Sequence, residues 1–304
     1  MIVDNATNFI AELVSNKYPA DSPATPKAVL MVKPEGFYVG EETALDNHYM
    51  DLANSADPER AIRQFHDLVA LIQNCGTEVL VFPGSVRTPD DVFPNNVFAS
   101  VPGRLIIGSM RYPIRQLEAE RRDIPAWFTE RGYEIFDLRG KDCVAELTGV
   151  LILDRARRIG FCGISERVDR AGAEAMHEAF GLRLTYCFDL TPDEYHTNVV
   201  FSVLAARACV LYPGACAESG TPDAIAAAFP GRTLILSQFE KDHFVGNCIS
   251  LTDRDLFMSQ AAADALRPES RATLESWNFR IHSVALDELE KAGGSLRCLV
   301  AKIF

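Results

Sequence analysis

The stretch Gly293-Gly294-Ser295-Leu296-Arg297-Cys298, close to the C-terminus, is the part of the sequence around which the rest is organised. Two adjacent glycines allow a tight turn in which the backbone comes close to its neighbours. The residues that follow, from 296 to 301, have the composition of a strand. The pattern predicts that Cys298 lies at the entrance of a strand, beside a turn. A single cysteine is more typical of a small core residue than of a nucleophile, so its interpretation depends on the rest of the chain.

Polar residues that stand before apolar strands recur along the chain with a period of about fifty residues. Counting back from Cys298, they are Asn247, His196, Glu146 and Asn96, at steps of 51, 51, 50 and 50 residues. In each unit, an apolar strand is followed by a polar turn, a second strand, a helical segment and a further strand. A fixed period of this kind is typical of repeat architectures, and five such units cover nearly the whole chain.

The last unit is incomplete, and the N-terminal segment supplies what it lacks. Residues 296–304 provide only a first strand, whereas Ala28–Val32, Pro58–Asn74 and Glu78–Phe82 have the patterns of a strand, a helix and a strand. We therefore expect one α/β-propeller domain over residues 1–304, closed by pairing of its two ends. A closed ring leaves few open sheet edges and brings the five polar positions toward one axis. A kelch-type propeller has a similar period, but its all-β blades contain no helix.

Composition narrows the classes of function. The formal net charge of −12 argues against nucleic acid and anionic membranes as partners. The eight cysteines show neither a CxxC pair nor a metal-like spacing with histidine, so we expect no metal site and reduced thiols. No N-terminal signal is visible, and no apolar run approaches the ~18 residues of a membrane span. A cytoplasmic protein is expected.

Other segments suggest a binding site near these positions. Residues 35–54 form a long loop with few regular signals, and such loops are often functional, so we expect a flap at the mouth of the ring. Arg115 and Arg167 follow the second strands of neighbouring units. Paired arginines at one end of a ring suit the bidentate binding of a carboxylate.

Four turns carry a family resemblance when they are taken together. They are Pro89-Asp90-Asp91-Val92-Phe93-Pro94-Asn95-Asn96, Glu146-Leu147-Thr148-Gly149, His196-Thr197-Asn198 and the Gly-Gly turn that leads to Cys298. In combination they resemble the pentein, or guanidino-group-modifying, superfamily. That group includes arginine deiminase, dimethylarginine dimethylaminohydrolase, agmatine deiminase and amidinotransferase. The resemblance covers nearly the whole chain, and the subgroup it is most similar to is the bacterial citrulline-utilisation hydrolases.

The resemblance implies a fold and a set of catalytic roles. The fold is the five-bladed pentein α/β-propeller with pseudo-fivefold repeats of about fifty residues. By position in the motifs, Cys298 is the nucleophile and His196 is the general acid and base. Glu146 is the carboxylate that binds substrate nitrogens and supports the histidine. The chemistry it implies is covalent and hydrolytic, and it needs no cofactor.

The same resemblance implies the substrate-binding residues. Asn96 and Asn198 take positions at which deiminases grip the guanidinium with carboxylates, and Asp90 belongs to the same turn as Asn96. Arg115 and Arg167 match positions that bind the substrate α-carboxylate. A cationic guanidinium is normally bound by carboxylates, whereas an amide offers a donor and an acceptor to a neutral ureido group. The two asparagines therefore favour hydrolysis of citrulline to ornithine, ammonia and carbon dioxide.

Several alternatives stay open at this point. Glu146 is a carboxylate, so an arginine deiminase or a dimethylarginine dimethylaminohydrolase is not excluded. An amidinotransferase would pass the group to an amine instead of water, and the sequence does not separate it from a hydrolase. A non-catalytic binding module would also share the fold. In each enzymatic reading the partner is a small ureido or guanidino amino acid, and a homodimer is one expected assembly.

Overall fold

The computed structural model describes residues 1–40 and 42–304. Within them the strands are β1 Ile2–Val3, β2 Ala28–Val32, β3 Glu78–Phe82, β4 Phe98–Val101, β5 Arg104–Ile107, β6 Glu134–Asp137, β7 Leu151–Asp154, β8 Ile159–Ile164, β9 Leu184–Asp189, β10 Phe201–Leu204, β11 Ala208–Leu211, β12 Thr233–Ile235, β13 Ile249–Ser250, β14 Asp255–Ser259, β15 Arg280–Val284 and β16 Ala301–Ile303. The helices are α1 Ala6–Ser15, α2 Pro58–Asn74, α3 Pro113–Ala119, α4 Asp123–Thr129, α5 Leu147–Val150, α6 Arg170–Ala179, α7 Thr197–Val200, α8 Thr221–Ala227, α9 Gln238–Asp242, α10 Gln260–Ala265, α11 Pro268–Ser276 and α12 Asp287–Glu290. Short 3₁₀ helices span Glu42–Leu45, Pro89–Val92, Pro94–Asn96, Pro213–Ala215, Val245–Asn247 and Leu296–Leu299.

In the described part of the chain the strands form five separate sheets of the same design. Their orders are β4-β5-β6, β7-β8-β9 with β1 beyond β9, β10-β11-β12, β13-β14-β15 and β16-β2-β3. In every sheet the first two of these strands pair antiparallel and the second and third pair parallel. A parallel pair needs a crossover connection, usually a helix, so each unit contains one. The predicted mixed α/β fold is confirmed.

One sheet joins residues that are far apart in sequence. Strand β16 pairs antiparallel with β2, with Ala301 opposite Leu30, and β2 pairs parallel with β3, with Leu30 opposite Leu80. All five residues of β2 are buried. A strand with neighbours on both edges and cover on both faces is expected to be continuously apolar, as Ala28–Val32 is.

Helix α2 shows how local signals set the outer layer. The side chain of Asp57 accepts hydrogen bonds from the backbone N–H groups of Glu59 and Arg60, which caps the helix. Phe65 and Leu68 on one face of the helix are fully buried with the residues of β2. The boundaries predicted for β2, α2 and β3 agree with the structure residue for residue.

The first strand of each unit begins later than the sequence pattern indicates. The strand expected from residue 296 is wrong: residues Leu296–Leu299 form a 3₁₀ helix, and β16 starts only at Ala301. The N–H of Cys298 bonds to the carbonyl of Ser295 over 2.9 Å, which is a turn contact and not a ladder contact. Helical turns also precede β4, β7, β10 and β13. The apolar residues of these turns have the sequence pattern of a strand because they are buried as strand residues are.

The N-terminal segment packs on one of the sheets. Strand β1 adds to β9 in parallel, with Ile2 opposite Thr185. Helix α1 then places Phe9 in the core, where its ring stacks on Tyr186 with centroids 4.8 Å apart. An irregular arm or a short helix is the expectation for this region, and the helix is what forms. Over residues 1–40 and 42–304, no helix has both the length and the apolar character that crossing a bilayer requires.

Candidate active site

The five polar positions of the repeat share one local setting. Asn96 and Asn247 end 3₁₀ turns, Glu146 and His196 immediately precede α5 and α7, and Cys298 lies within the last 3₁₀ turn. None of the five is more than 3% exposed. A short turn at the start of each first strand therefore holds a polar side chain in the interior of the protein.

His196 and Glu146 form a buried pair. His196 Nε2 lies 2.8 Å from Glu146 Oε2, and Arg167 Nη1 lies 3.2 Å from the same oxygen. Burial alone raises the pKa of Glu146, but Arg167 and His196 outweigh it, so its pKa lies below the ordinary value. The carboxylate is ionised, and Nε2 of the imidazole is therefore the nitrogen that carries the proton and donates to it.

The other imidazole nitrogen is left as a base. Within the described residues, Nδ1 of His196 has no hydrogen-bond partner. Burial lowers the pKa of His196 below its ordinary value, although the hydrogen bond to Glu146 acts in the opposite direction. His196 is therefore neutral at pH 7, with the lone pair of Nδ1 available for proton transfer.

Two amides surround the sulfur of Cys298. Asn247 Nδ2 lies 3.4 Å and Asn198 Nδ2 lies 3.6 Å from Sγ. Burial raises the pKa of Cys298, while these amides, the backbone near Ser295 and the charge of Arg297 act in the opposite direction. The group is a thiol at neutral pH, and the amides are placed to stabilise a thiolate once the proton has left.

Asn96 and His196 meet at Gly149. A Cβ atom at position 149 would lie 2.7 Å from Asn96 Oδ1 and 3.1 Å from His196 Nδ1. Only glycine fits there without displacing one of these groups. Within residues 1–40 and 42–304, Asn96 Oδ1 has no hydrogen-bond partner. The amide oxygen and the imidazole nitrogen thus face the same small region.

Asp90 adds a carboxylate to the buried groups. It is 4% exposed, and its Oδ2 accepts a hydrogen bond of 3.0 Å from the hydroxyl of Thr43. Its Oδ1 has no partner in the part of the chain that the structure describes. Burial raises the pKa of Asp90, against the opposing charge of Arg115. Buried polar atoms are nearly always satisfied, so this oxygen is a candidate acceptor for a bound N–H group.

Arg115 and Arg167 both face carboxylates of the protein itself. Arg115 Nε lies 2.8 Å from Glu118 Oε1. Arg167 binds Asp46 through two contacts of 2.6 Å, in addition to its contact with Glu146. The binding of a substrate carboxylate by these arginines stays a prediction, and for Arg167 it requires that Asp46 share or release the guanidinium.

The loop of residues 35–54 contacts the same cluster. Thr43 binds Asp90, and its carbonyl oxygen accepts a hydrogen bond of 3.2 Å from Arg167. Further along the loop, the hydroxyl of Tyr49 donates to Glu194 over 2.6 Å. These contacts place the expected flap against the candidate site. Glu41, which also belongs to that flap, lies outside the described residues.

A group of possible metal ligands lies elsewhere. Of the described residues, only Cys75, Asp255 and His282 form a set of metal-ligating side chains, with donor atoms within 4.8 Å of one another. Arg280 lies 2.9 Å from the same Asp255 oxygen that His282 approaches. That carboxylate therefore already has a cationic partner, which disfavours a metal ion.

Comparison with known proteins places the chain in a family. Residues 33–304 match the family model described as N,N dimethylarginine dimethylhydrolase, eukaryotic. The chain belongs to this family. Its membership confirms the resemblance to the pentein, guanidino-group-modifying superfamily.

Relatives with named activities act on guanidino groups. The N(G),N(G)-dimethylarginine dimethylaminohydrolase from Mycobacterium tuberculosis is 24% identical over 257 residues, which are 84% of this chain and 80% of the relative. The bifunctional arginine dihydrolase/ornithine cyclodeaminase ArgZ from Synechocystis is 23% identical over 250 residues. That match covers 82% of this chain but about a third, 34%, of the bifunctional protein.

Solved structures show the same fold. The N-terminal domain of the cyanobacterial arginine dihydrolase ArgZ, bound to substrate, superposes with a TM-score of 0.80 at 22% identity, over 91% of this chain and 97% of that one. Dimethylarginine dimethylaminohydrolase from Pseudomonas aeruginosa, complexed with citrulline, superposes with a TM-score of 0.71 at 17% identity, over 92% and 100%. The family fold therefore extends over most of this chain.

Some residues of the cluster were not among the predicted site residues. Asn247 contacts Cys298; the fifty-residue period includes it among the five polar positions, but no motif gives it a role. Thr43 and Asp46 lie in the irregular loop, where no period or motif marks them. Glu118, three residues after Arg115 on α3, had a helical spacing suited to an ion pair.

Proposed function

We propose that this protein is a cysteine-dependent hydrolase that cleaves the ureido group of citrulline to give ornithine, ammonia and carbon dioxide. The observation that carries the proposal is the buried arrangement of Cys298 beside two amides, together with a neutral histidine held by an ionised glutamate. A nucleophile, a base and a group that orients the base are the elements of covalent hydrolysis.

In the first step, Cys298 adds to the planar carbon of the substrate. The thiol loses its proton as substrate binds, and Nδ1 of His196 is the base with a free lone pair. The amides of Asn198 and Asn247 hold the sulfur as it gains charge. The imidazolium then gives a proton to the departing nitrogen, and the C–N bond breaks. Ornithine is released, and the carbamoyl group stays bound to the sulfur of Cys298.

In the second step, water replaces the sulfur. His196 takes a proton from water, which attacks the carbamoyl carbon, and the C–S bond breaks as the proton returns to Cys298. The released carbamate gives ammonia and carbon dioxide. Glu146 keeps Nε2 protonated throughout by accepting its hydrogen bond at 2.8 Å, so that Nδ1 alone exchanges protons.

The preference for a neutral substrate rests on the polar groups near the sulfur. Asn96 and Asn198 present amides, each with both a donor and an acceptor, whereas Asn247 is bonded to the carbonyl of Asn198 and to the N–H of Arg297. Glu146, in contrast, is already paired with Arg167 and His196, so little of its charge is available for a cation. A ureido group has one carbonyl oxygen and several N–H donors, which amides match without a charge imbalance.

A guanidino substrate is the second candidate, and a specific group favours it. The free Oδ1 of Asp90 could accept an N–H of a guanidinium or of an α-ammonium group. The relatives named as arginine dihydrolase and as dimethylarginine dimethylaminohydrolase point the same way. Arginine carried through two hydrolyses at one site would release two ammonia molecules and pass through citrulline.

The proposal includes the arrangement of the whole chain. We infer that residues 1–304 form a single five-bladed α/β-propeller. Contacts between neighbouring sheets, from one unit to the next, support it. Strand β16 contacts β4, and β4 contacts α5, the helix that precedes β7. Strand β7 contacts β10, and β10 contacts β13. The turn before β16 in turn touches β14. A cytoplasmic location and a homodimer stay predictions from the sequence.

The test is a substrate panel with product masses. Purified protein is incubated separately with citrulline, arginine, asymmetric dimethylarginine and agmatine, alongside a Cys298→Ser variant. We expect ornithine and one equivalent of ammonia from citrulline, and neither from the variant. Citrulline or ornithine formed only from arginine or dimethylarginine would replace this proposal by the guanidino candidate. Turnover that survives in Cys298→Ser would overturn the mechanism.

A further inference from the structure

A small cavity in the protein is lined by cations. Arg155, Arg297 and Lys302 line it, together with apolar residues of β7 and β10 such as Leu153 and Val203. Its volume is about 30 Å³, and about 10–15 Å³ of such volume is enough for one water molecule. The cavity is therefore large enough for one or two small species and too small for an organic substrate.

The cations of this cavity lack a carboxylate partner. No aspartate or glutamate of residues 1–40 and 42–304 lines it. Arg155 donates to the carbonyl of Ser100 over 2.6 Å, and Arg297 donates to the hydroxyl of Ser202 over 2.9 Å. These are neutral acceptors, so two guanidinium groups face one space without a compensating negative charge.

Lys302 is half-buried, as are Arg155 and Arg297. Over the described residues, its ammonium group makes neither a hydrogen bond nor an ion pair. Burial, followed by the charges of Arg297 and Arg155, lowers its pKa well below the ordinary value. Burial also lowers the pKa of Arg155 to about 9 and that of Arg297 to about 10. Gathering unpaired cations is costly, and it is unexpected in a chain whose net charge is −12.

An unpartnered amide points to a ligand in the same place. Asn95 lines the cavity and is 1% exposed. Within the described part of the chain, neither its Nδ2 nor its Oδ1 has a hydrogen-bond partner. Buried amide groups without partners are rare in folded proteins. An N–H donor and three cationic groups around one small space form a donor set for an anion.

We propose that this cavity binds a small inorganic anion of halide size. The anion lies among Arg155, Arg297 and Lys302 and accepts a hydrogen bond from the amide of Asn95. It offsets the repulsion among the three cations and satisfies the buried donor. Because Arg297 directly precedes Cys298, the bound anion lies close to the segment that positions the sulfur.

The test measures chloride binding to the full chain. The protein is prepared in sodium gluconate, and chloride is added while the width of the ³⁵Cl resonance and the thermal unfolding midpoint are followed at constant ionic strength. We expect the ³⁵Cl resonance to broaden in a saturable way that bromide reverses and gluconate does not. The midpoint of thermal unfolding should rise as chloride is added. Broadening that gluconate reverses equally would overturn the proposal, since the cavity does not admit so large an anion.

Two variants and a control assign the site. Lys302→Met removes a charge that has no partner, so the variant is expected to fold and to be at least as stable as the wild type in gluconate. Its chloride affinity should fall at least tenfold, and Asn95→Leu should weaken binding as well. Lys17→Met, at an exposed lysine, should leave binding unchanged. Wild-type broadening in both Lys302→Met and Asn95→Leu would refute this location.

Discussion

Replacing Glu146 by glutamine tests the role of the buried glutamate most directly. The change keeps the size of the side chain but removes the charge that contacts His196 and Arg167. Two unit charges 3.2 Å apart, the separation of Arg167 and Glu146, interact by about 5 kcal/mol at an effective dielectric constant of about 20. Arg167 keeps Asp46 as a partner, so part of this energy is retained. We expect the free energy of unfolding to fall by about 3 kcal/mol, the lower end of the range for broken buried pairs.

The effect on catalysis should be as large as the effect on stability or larger. A glutamine can turn its N–H₂ toward His196, which favours the tautomer protonated on Nδ1 and so removes the lone pair that acts as the base. The charge that stabilises the imidazolium is lost as well. Loss of general acid–base catalysis costs on the order of 10²–10⁴-fold in rate. We therefore expect kcat to fall by about that factor with a smaller change in KM.

The matched control is Glu240→Gln. Glu240 is also fully buried, and its Oε2 lies 2.8 Å from Arg267 Nε, but it contacts neither His196 nor Arg167. Because Arg267 is 39% exposed, solvent screens this pair and the stability loss should be smaller. Urea unfolding followed by circular dichroism and steady-state kinetics are measured on both variants. A fall in kcat for Glu146→Gln no greater than that for Glu240→Gln would refute the role of Glu146 in catalysis.

Three further changes probe the same cluster. Asn96→Asp adds a carboxylate to the site, which favours a cationic substrate. The kcat/KM for arginine, divided by the kcat/KM for citrulline, should rise at least about tenfold. An unchanged ratio contradicts the charge argument. Gly149→Ala places a Cβ atom 2.7 Å from Asn96 Oδ1, so kcat should drop, and the unfolding midpoint should fall too because overpacking a buried site costs about 1–3 kcal/mol; wild-type kcat would show that the two side chains yield freely. Because the pKa of His196 is lowered in the folded state, its contribution to stability is complete above the unfolded pKa of about 6.5 and is lost as pH falls through the folded pKa. The urea midpoint of the wild type should therefore fall as the pH is lowered through these values, and the midpoint of His196→Gln should fall less. If both midpoints fall equally, other titrating groups cause the pH dependence.

The sequence predicts those parts of the fold that repeat. The boundaries of β2, α2 and β3 follow from periodicity and from the cap at Asp57, because both signals are local. Counted back from Cys298, the fifty-residue period likewise led to His196 and Glu146, since equivalent positions in repeated units have equivalent settings. The structure then adds the hydrogen bond between His196 and Glu146, a contact between residues 50 apart.

Features without a repeat were not predictable in the same way. The contact between Asp46 and Arg167 spans 121 residues and begins in a loop with no regular pattern. The helical turns before the first strands were read as strand because hydrophobicity reports burial and not backbone conformation over four residues. Nor does any sequence pattern reveal that Arg155 and Lys302 share a cavity, because they belong to different units and their meeting depends on the packing between sheets.

The pairing of β16 with β2 has a consequence for how the protein is made. A chain that grows from its N-terminus carries β2 with an unpaired edge until Ala301–Ile303 have been synthesised. Pairing residues so distant in sequence is also slow, since a long loop must close first. Cys298 is carried on the turn just before β16, so its sulfur reaches the amides of Asn198 and Asn247 only when this last sheet forms. Until this sheet forms, Cys298 is therefore an ordinary thiol, and the reactive centre is assembled only when β16 has paired with β2.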